Sequence, residues 1–203
     1  MRWPAHISFG VGTLALFLSA FSVIQPQYGY WGLSEWLLGT QNWLFVLLFL
    51  VFTLFIIAPY LSIIIDWFDH EGREWSDPVN RIARFFIKPF RFIWYLLEAK
   101  KPGTREFHDY AYFLIPLLIA YGLTILLPTI IPQWFFLAVA IVIVPTVAHL
   151  IADNVTTLGV KFFGFKLKGF VAFDNRIANW VFGVLGQITL LIAVVIFILD
   201  VLF

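Results

Sequence analysis

Of 203 residues, 62% are hydrophobic, 20% aromatic and only 12% charged, and the net charge is +1. A soluble domain carries roughly a quarter charged residues, so most of this chain is written for lipid, and its charge balance gives no reason to expect a nucleic-acid partner. The absence of cysteine excludes disulfides, thiolate metal sites and cysteine nucleophiles.

The first apolar run covers about residues 7–24, behind "MRWPAHIS". It lacks a small-residue cleavage site and reads as a retained span, not a signal peptide. Further apolar runs follow at about 43–65, 111–131, 134–152 and 178–203, the third and fourth separated by "PTIIPQW". Crossing a bilayer core takes roughly 20 apolar residues. The expected fold is therefore all-α: one integral membrane domain over 1–203, a polytopic bundle of about five transmembrane helices. Prolines 59, 116, 128 and 145 fall inside or near these runs, where helix bundles in membranes tolerate them.

The connecting segments set an orientation. Residues 25–42 hold Glu35 and no lysine or arginine, whereas 66–110 hold Arg73, Arg81, Arg84, Lys88, Arg91, Lys100, Lys101 and Arg105. The turn near 132 is uncharged, and 153–177 hold Lys161, Lys166, Lys168 and Arg176. Basic segments alternate with uncharged ones, as the positive-inside rule asks. In a cell (inner) membrane this places the amino terminus, 66–110 and 153–177 on the cytoplasmic side, and five spans place the carboxyl terminus outside.

Within 66–110, "SDPVNRIARFFIKPFRFIWYLLE" predicts an amphipathic helix over about 77–98. Arg81, Arg84, Lys88 and Arg91 make one stripe, with Phe85, Phe86, Phe92, Ile93 and Leu96 on other faces. Asp77 can cap it and Pro78 suits its first turn. Such a helix lies in the headgroup layer and attracts anionic lipid, the expected membrane partner.

All four histidines fall at the cytoplasmic ends of the predicted spans: His6, His70, His108 and His149. Carboxylates accompany them. Asp66, Asp69 and His70 are spaced i, i+3, i+4, and His149 and Asp153 are i, i+4, one helical face in each case. Asp109 follows His108 and cannot share its direction on a helix. Imidazoles with carboxylates suit zinc, manganese or iron. The competing reading is a set of ordinary interfacial polar groups, or pairs such as Asp153 with Arg176 and Asp66 with Arg105 that only tie helices together.

Four motifs in chain order resemble a known family. They are "AHISFGVG" at 5–12, the aspartate–histidine cluster at 66–70, Arg105 with His108, and "HLIADNVTTLGVKFF" at 149–163. Together they resemble the YdjM-like inner-membrane metal-dependent hydrolases, grouped by motif with zinc phospholipases C. The closest correspondence is His-x-x-x-Asp-x-x-Thr-x-x-Gly at His149, Asp153, Thr156 and Gly159. The chain departs from the family pattern at Ala5, in the spacing before His70 and around His108. The resemblance implies a divalent metal, zinc foremost, held by His6, Asp66, His70, His108, His149 and Asp153, with Asp69 or Asp109 as general base.

Two functions stand against each other. One is a membrane-embedded metal-dependent hydrolase acting on a phospholipid or other phosphoester at the cytoplasmic face. The other is a non-catalytic integral subunit of a larger membrane complex, for which aromatic-rich, weakly polar spans are suited. Lys161, Lys166 and Lys168 in "KFFGFKLKGF" read first as an interfacial anchor and second as a phosphate grip. A transporter fits poorly, since only Asp200 lies deep in a run and no inverted repeat is visible. Reporter fusions at residues 34 and 90 are expected on opposite sides of the membrane. Both on one side would break the derived orientation.

Overall fold

The computed structural model describes residues 3–63, 109–132, 134–157, 159–172 and 175–202. They belong to one compact, mostly helical unit. The predicted amphipathic helix at 77–98 lies outside the described residues.

Helix α1 (Trp3–Ile24) has Pro4 in its first turn, where the missing N–H costs nothing. It stops at Gln25, whose successor Pro26 disfavours the helical region. A single 3₁₀ turn, Pro26–Tyr28, leads into the short helix α2 (Tyr30–Leu38). The segment 25–42, expected as a plain loop, thus carries a helix of its own. Gly39 closes it at φ 68°, its N–H bonded to the Glu35 carbonyl at 2.8 Å, a left-handed cap that glycine adopts without a Cβ penalty.

Helix α3 (Trp43–Leu61) starts where the Asn42 side chain accepts the Phe45 N–H. It widens to a π turn over Thr53–Ile57, just before Pro59, a residue with no N–H to give. Helix α4 (Ala111–Leu126) ends at Leu127, which leaves the helical region ahead of Pro128. Helix α5 (Trp134–Asn154) is followed by a hairpin of strands β1 (Val160–Phe162) and β2 (Phe165–Leu167). Helix α6 (Arg176–Leu202) begins at Asn175, whose side-chain oxygen accepts the N–H groups of Ile177 and Ala178.

Among the described residues, α1, α3, α5 and α6 are long and apolar enough to cross a membrane. Helix α4 has 16 residues, or about 24 Å at 1.5 Å per residue, short of a 30 Å hydrocarbon core. Four long helices and one short one therefore stand where five spans are expected, because Pro128 stops α4 early.

The five longest helices alternate in direction along the chain, so α1 and α6 run parallel. Their contact depends on glycine. A Cβ on Gly12 would meet the Gly186 carbonyl oxygen at 2.1 Å, and one on Gly186 would meet the Ser8 carbonyl oxygen at 2.2 Å. The Ser8 hydroxyl donates to the Gly183 carbonyl at 2.8 Å. Where surrounding lipid is as apolar as leucine, such close backbone packing is what holds helices together. Around it pack Leu14, Leu18, Val46, Leu137 and Ala193.

At the end of the bundle away from His6, the Tyr30 hydroxyl donates to Asp200 at 3.1 Å and the Trp31 indole N–H donates to the same oxygen. The carboxylate at the end of α6 is thereby satisfied by α2.

Gly186→Val is expected to lower the melting temperature in detergent by several degrees, since backbone would have to separate. Gly122→Ala, where an added Cβ meets nothing within 4 Å, is expected to hold or raise it. Equal melting temperatures for Gly186→Val and the parent chain would show that α1 and α6 do not depend on this crossing.

Candidate metal centre

Three helix ends meet beneath the surface of the bundle. His6 comes from the first turns of α1, and His149 and Asp153 from the last turns of α5. All three are 0–1% exposed. Nε2 of His6 lies 3.3 Å from one Asp153 oxygen, and Nε2 of His149 lies 3.7 Å from the other. The two imidazoles stack, with centroids 3.9 Å apart and 18° between planes. One donor atom from each residue lies within 4.8 Å of the others, the one such group of three or more His, Asp or Glu among the described residues. This buried triad could hold a metal ion.

The protonation pattern follows from α3. Helix α3 ends at Leu61, so the carbonyls of its last turn lack helical donors. Nδ1 of His149 lies 2.7 Å from the Ser62 carbonyl oxygen. A carbonyl only accepts, so Nδ1 carries the proton, and in the neutral ring the Nε2 lone pair faces Asp153. A lone pair and a carboxylate oxygen repel unless a cation, either a proton or a metal, sits between them. Metal-ligating histidines commonly donate their second N–H to a carbonyl in this way. Tetrahedral bonds of roughly 2.0–2.1 Å set ligand atoms about 3.4 Å apart, close to the two separations from Asp153. The donor set therefore fits a divalent ion.

Neighbouring residues make room for this arrangement. Gly10, one turn beyond His6, is where α1 presses against the end of α3: a Cβ there would meet the Ser62 hydroxyl oxygen at 2.0 Å. Both the N–H and the hydroxyl of Thr156 bond the Asp153 carbonyl, at 2.9 and 2.8 Å. Gly159 has φ 67°, and a Cβ on it would meet the Leu167 carbonyl oxygen at 2.0 Å. The His-x-x-x-Asp-x-x-Thr-x-x-Gly pattern thus divides by role. Its first two named residues form the centre, its threonine closes the helix, and its glycine turns the chain into the hairpin.

Tyr110 is a residue the sequence reading missed. It is buried, and its phenol is pushed up to about 12 by burial and then by the Asp153 carboxylate, so it stays protonated at neutral pH. Nothing in the sequence singled it out beyond its place after Asp109. The Ser62 carbonyl carried no sequence signal at all.

The other expected site residues fare differently. Asp66, Asp69, His70 and His108 lie outside the described residues. Asp109 is not in the triad. One of its oxygens accepts the N–H groups of Ala111 and Phe163, both at 2.9 Å, and the other accepts the Gly164 N–H at 2.7 Å. Its carboxylate caps α4 and holds the hairpin turn. Among the described residues Asp153 pairs with His6 and His149, not with Arg176.

Comparison with protein-family models, with curated proteins and with solved structures gives no match to this chain.

Purified chain loaded with zinc is expected to retain about one ion per molecule. His149→Ala or Asp153→Asn should weaken retention by at least about 10–100-fold, read as zinc per protein by elemental analysis. Protons compete for the imidazoles, so retention should also fall from pH 8 to pH 5. Zinc content indifferent to both substitutions would remove the triad as the ligand set.

Proposed function

We propose that this chain is a membrane-embedded metal-dependent hydrolase acting on a phospholipid or other phosphoester at the cytoplasmic face of the cell membrane. The observation that carries the proposal is His149 fixed through Nδ1 on the Ser62 carbonyl, with Nε2 turned to Asp153 beside His6. The motif resemblance at His149–Gly159 supports it, as does the gathering of the His6, Ser62 and Asp153 helix ends at the end of the bundle that the charge pattern assigns to the cytoplasm.

Zinc is the ion that two imidazoles and a carboxylate suit best. Held there, it would supply Lewis-acid polarisation of a phosphoryl oxygen and a water acidic enough to ionise near neutral pH. The chain's own residues supply the rest. The Ser62 carbonyl and the packing at Gly10 orient His149. Asp153 balances the cationic charge between two imidazoles. Tyr110, kept protonated, is a hydrogen-bond donor for an anionic phosphoester. Of the two carboxylates proposed as general base, Asp109 is committed to three backbone donors, and Asp69 lies outside the described residues.

A second reading, a non-catalytic subunit of a membrane complex, is favoured by one observation: the triad is almost completely buried, as a helix-tying polar cluster would be. Activity separates the two. With zinc present, the purified chain in mixed micelles is expected to cleave bis(p-nitrophenyl) phosphate or a fluorescent phospholipid. A chelator should abolish turnover, added zinc restore it, and Asp153→Asn reduce it by about 100-fold or more. Stoichiometric zinc with no cleavage of either substrate would favour the subunit reading.

A further inference from the structure

The hairpin after α5 has two unlike faces. In its register Val160 pairs with Leu167, Lys161 with Lys166, and Phe162 with Phe165. Directly opposite residues share a face, and successive residues alternate. One face is therefore Val160, Phe162, Phe165 and Leu167, and the other is Lys161 and Lys166. Val160 at the base is buried, while the rest of the apolar face projects: Phe165 is 76% exposed, and Phe170 just beyond is 90% exposed.

Two features are hard to reconcile with water around this element. Phe163 sits at the tip with φ 50°, where turns normally place asparagine or glycine, so a half-exposed aromatic side chain is kept at the tip in spite of the backbone cost. Among the described residues, Lys166 and Lys168 have no carboxylate in ion-pair reach. A two-stranded hairpin is marginal by itself in water. This one is braced from below: Asp109 accepts both tip N–H groups, and the Tyr110 N–H bonds the Lys161 carbonyl at 3.1 Å.

We propose that the hairpin is a lipid-gripping element: its phenylalanine face dips into the leaflet at the His6 end of the bundle, and its lysines engage anionic phospholipid headgroups. It hangs between the ends of α5 and α6, two helices long and apolar enough to cross a membrane, so bilayer lies beside it. The exposed aromatics match the acyl boundary and the lysines match the phosphate layer, the arrangement by which amphipathic elements lie in an interface. This holds whether or not the metal centre is catalytic.

The chain has no cysteine, so Phe165→Cys, Phe170→Cys and Lys168→Cys each give one thiol for a polarity-sensitive fluorophore, all at exposed positions. In nanodiscs of phosphatidylcholine and phosphatidylglycerol, labels at 165 and 170 are expected to be quenched by lipid carrying a nitroxide at acyl carbon 5 and not by iodide. The label at 168 should respond to iodide. Iodide quenching at 165 and 170 without nitroxide quenching would overturn the proposal. Quenching by neither would show protein, such as a second copy, covering the face, and would overturn it equally. Separately, the full chain carrying Lys166→Gln and Lys168→Gln should lose preference for spin-labelled phosphatidylglycerol over phosphatidylcholine, by about fivefold per lysine at low salt. An unchanged preference would remove the lysines from headgroup binding.

Discussion

The centre of this protein depends on one hydrogen bond, from Nδ1 of His149 to the Ser62 carbonyl. It decides which ring nitrogen carries the proton. With Nδ1 occupied, Nε2 has only a lone pair to offer, and what it faces is a carboxylate. Two acceptors held together in a buried place require a positive charge between them, because the low dielectric magnifies their repulsion. The bond exists because α3 ends where it does: a carbonyl in mid-helix would be taken by its own ladder. Pro59 and the π turn before it shape that last stretch of α3.

The bond in turn needs α1, α3 and α5 to approach closely. Gly10 lets α1 approach the Ser62 side chain, and Gly12 with Gly186 brings α1 onto α6. Glycine costs helix propensity at each such position, a cost offset by backbone contact that larger side chains would prevent. On the α5 side, Gly10 also lies close to the Pro145 carbonyl, one turn along α1 from where His6 meets Asp153. The glycines of "HISFGVG" thus serve the polar centre as well as the helix packing.

Beyond α5 the chain keeps the centre coupled to the surface. Thr156 closes the helix on the Asp153 carbonyl, Gly159 turns the chain back, and the hairpin returns to Asp109 and Tyr110 at the start of α4. Tyr110 is then both a brace for the hairpin and a neighbour of the Asp153 carboxylate.

Much of the architecture is legible in sequence because it follows from local properties. Long apolar runs must become helices in lipid, since no other open structure satisfies every backbone group there. The i, i+4 spacing of His149 and Asp153 fixes a shared helical face whatever the packing. The end of α4 was not placed: the apolar run continues to 131, while the helix stops at Leu126 ahead of Pro128. The hairpin was not read from the sequence: its strands have three residues each, too short for their alternation to stand out from a basic, aromatic loop. What the sequence by itself determined was which residues share an element and which ends of the elements are polar. The partnership of His6 with Asp153, the Ser62 carbonyl as the group that orients His149, the use of Asp109 as a turn clamp and the place of Tyr110 were decided only by tertiary structure. Each depends on how closely helices far apart in the chain approach one another, and that distance is set by glycine contacts and backbone carbonyls whose role no single segment reveals.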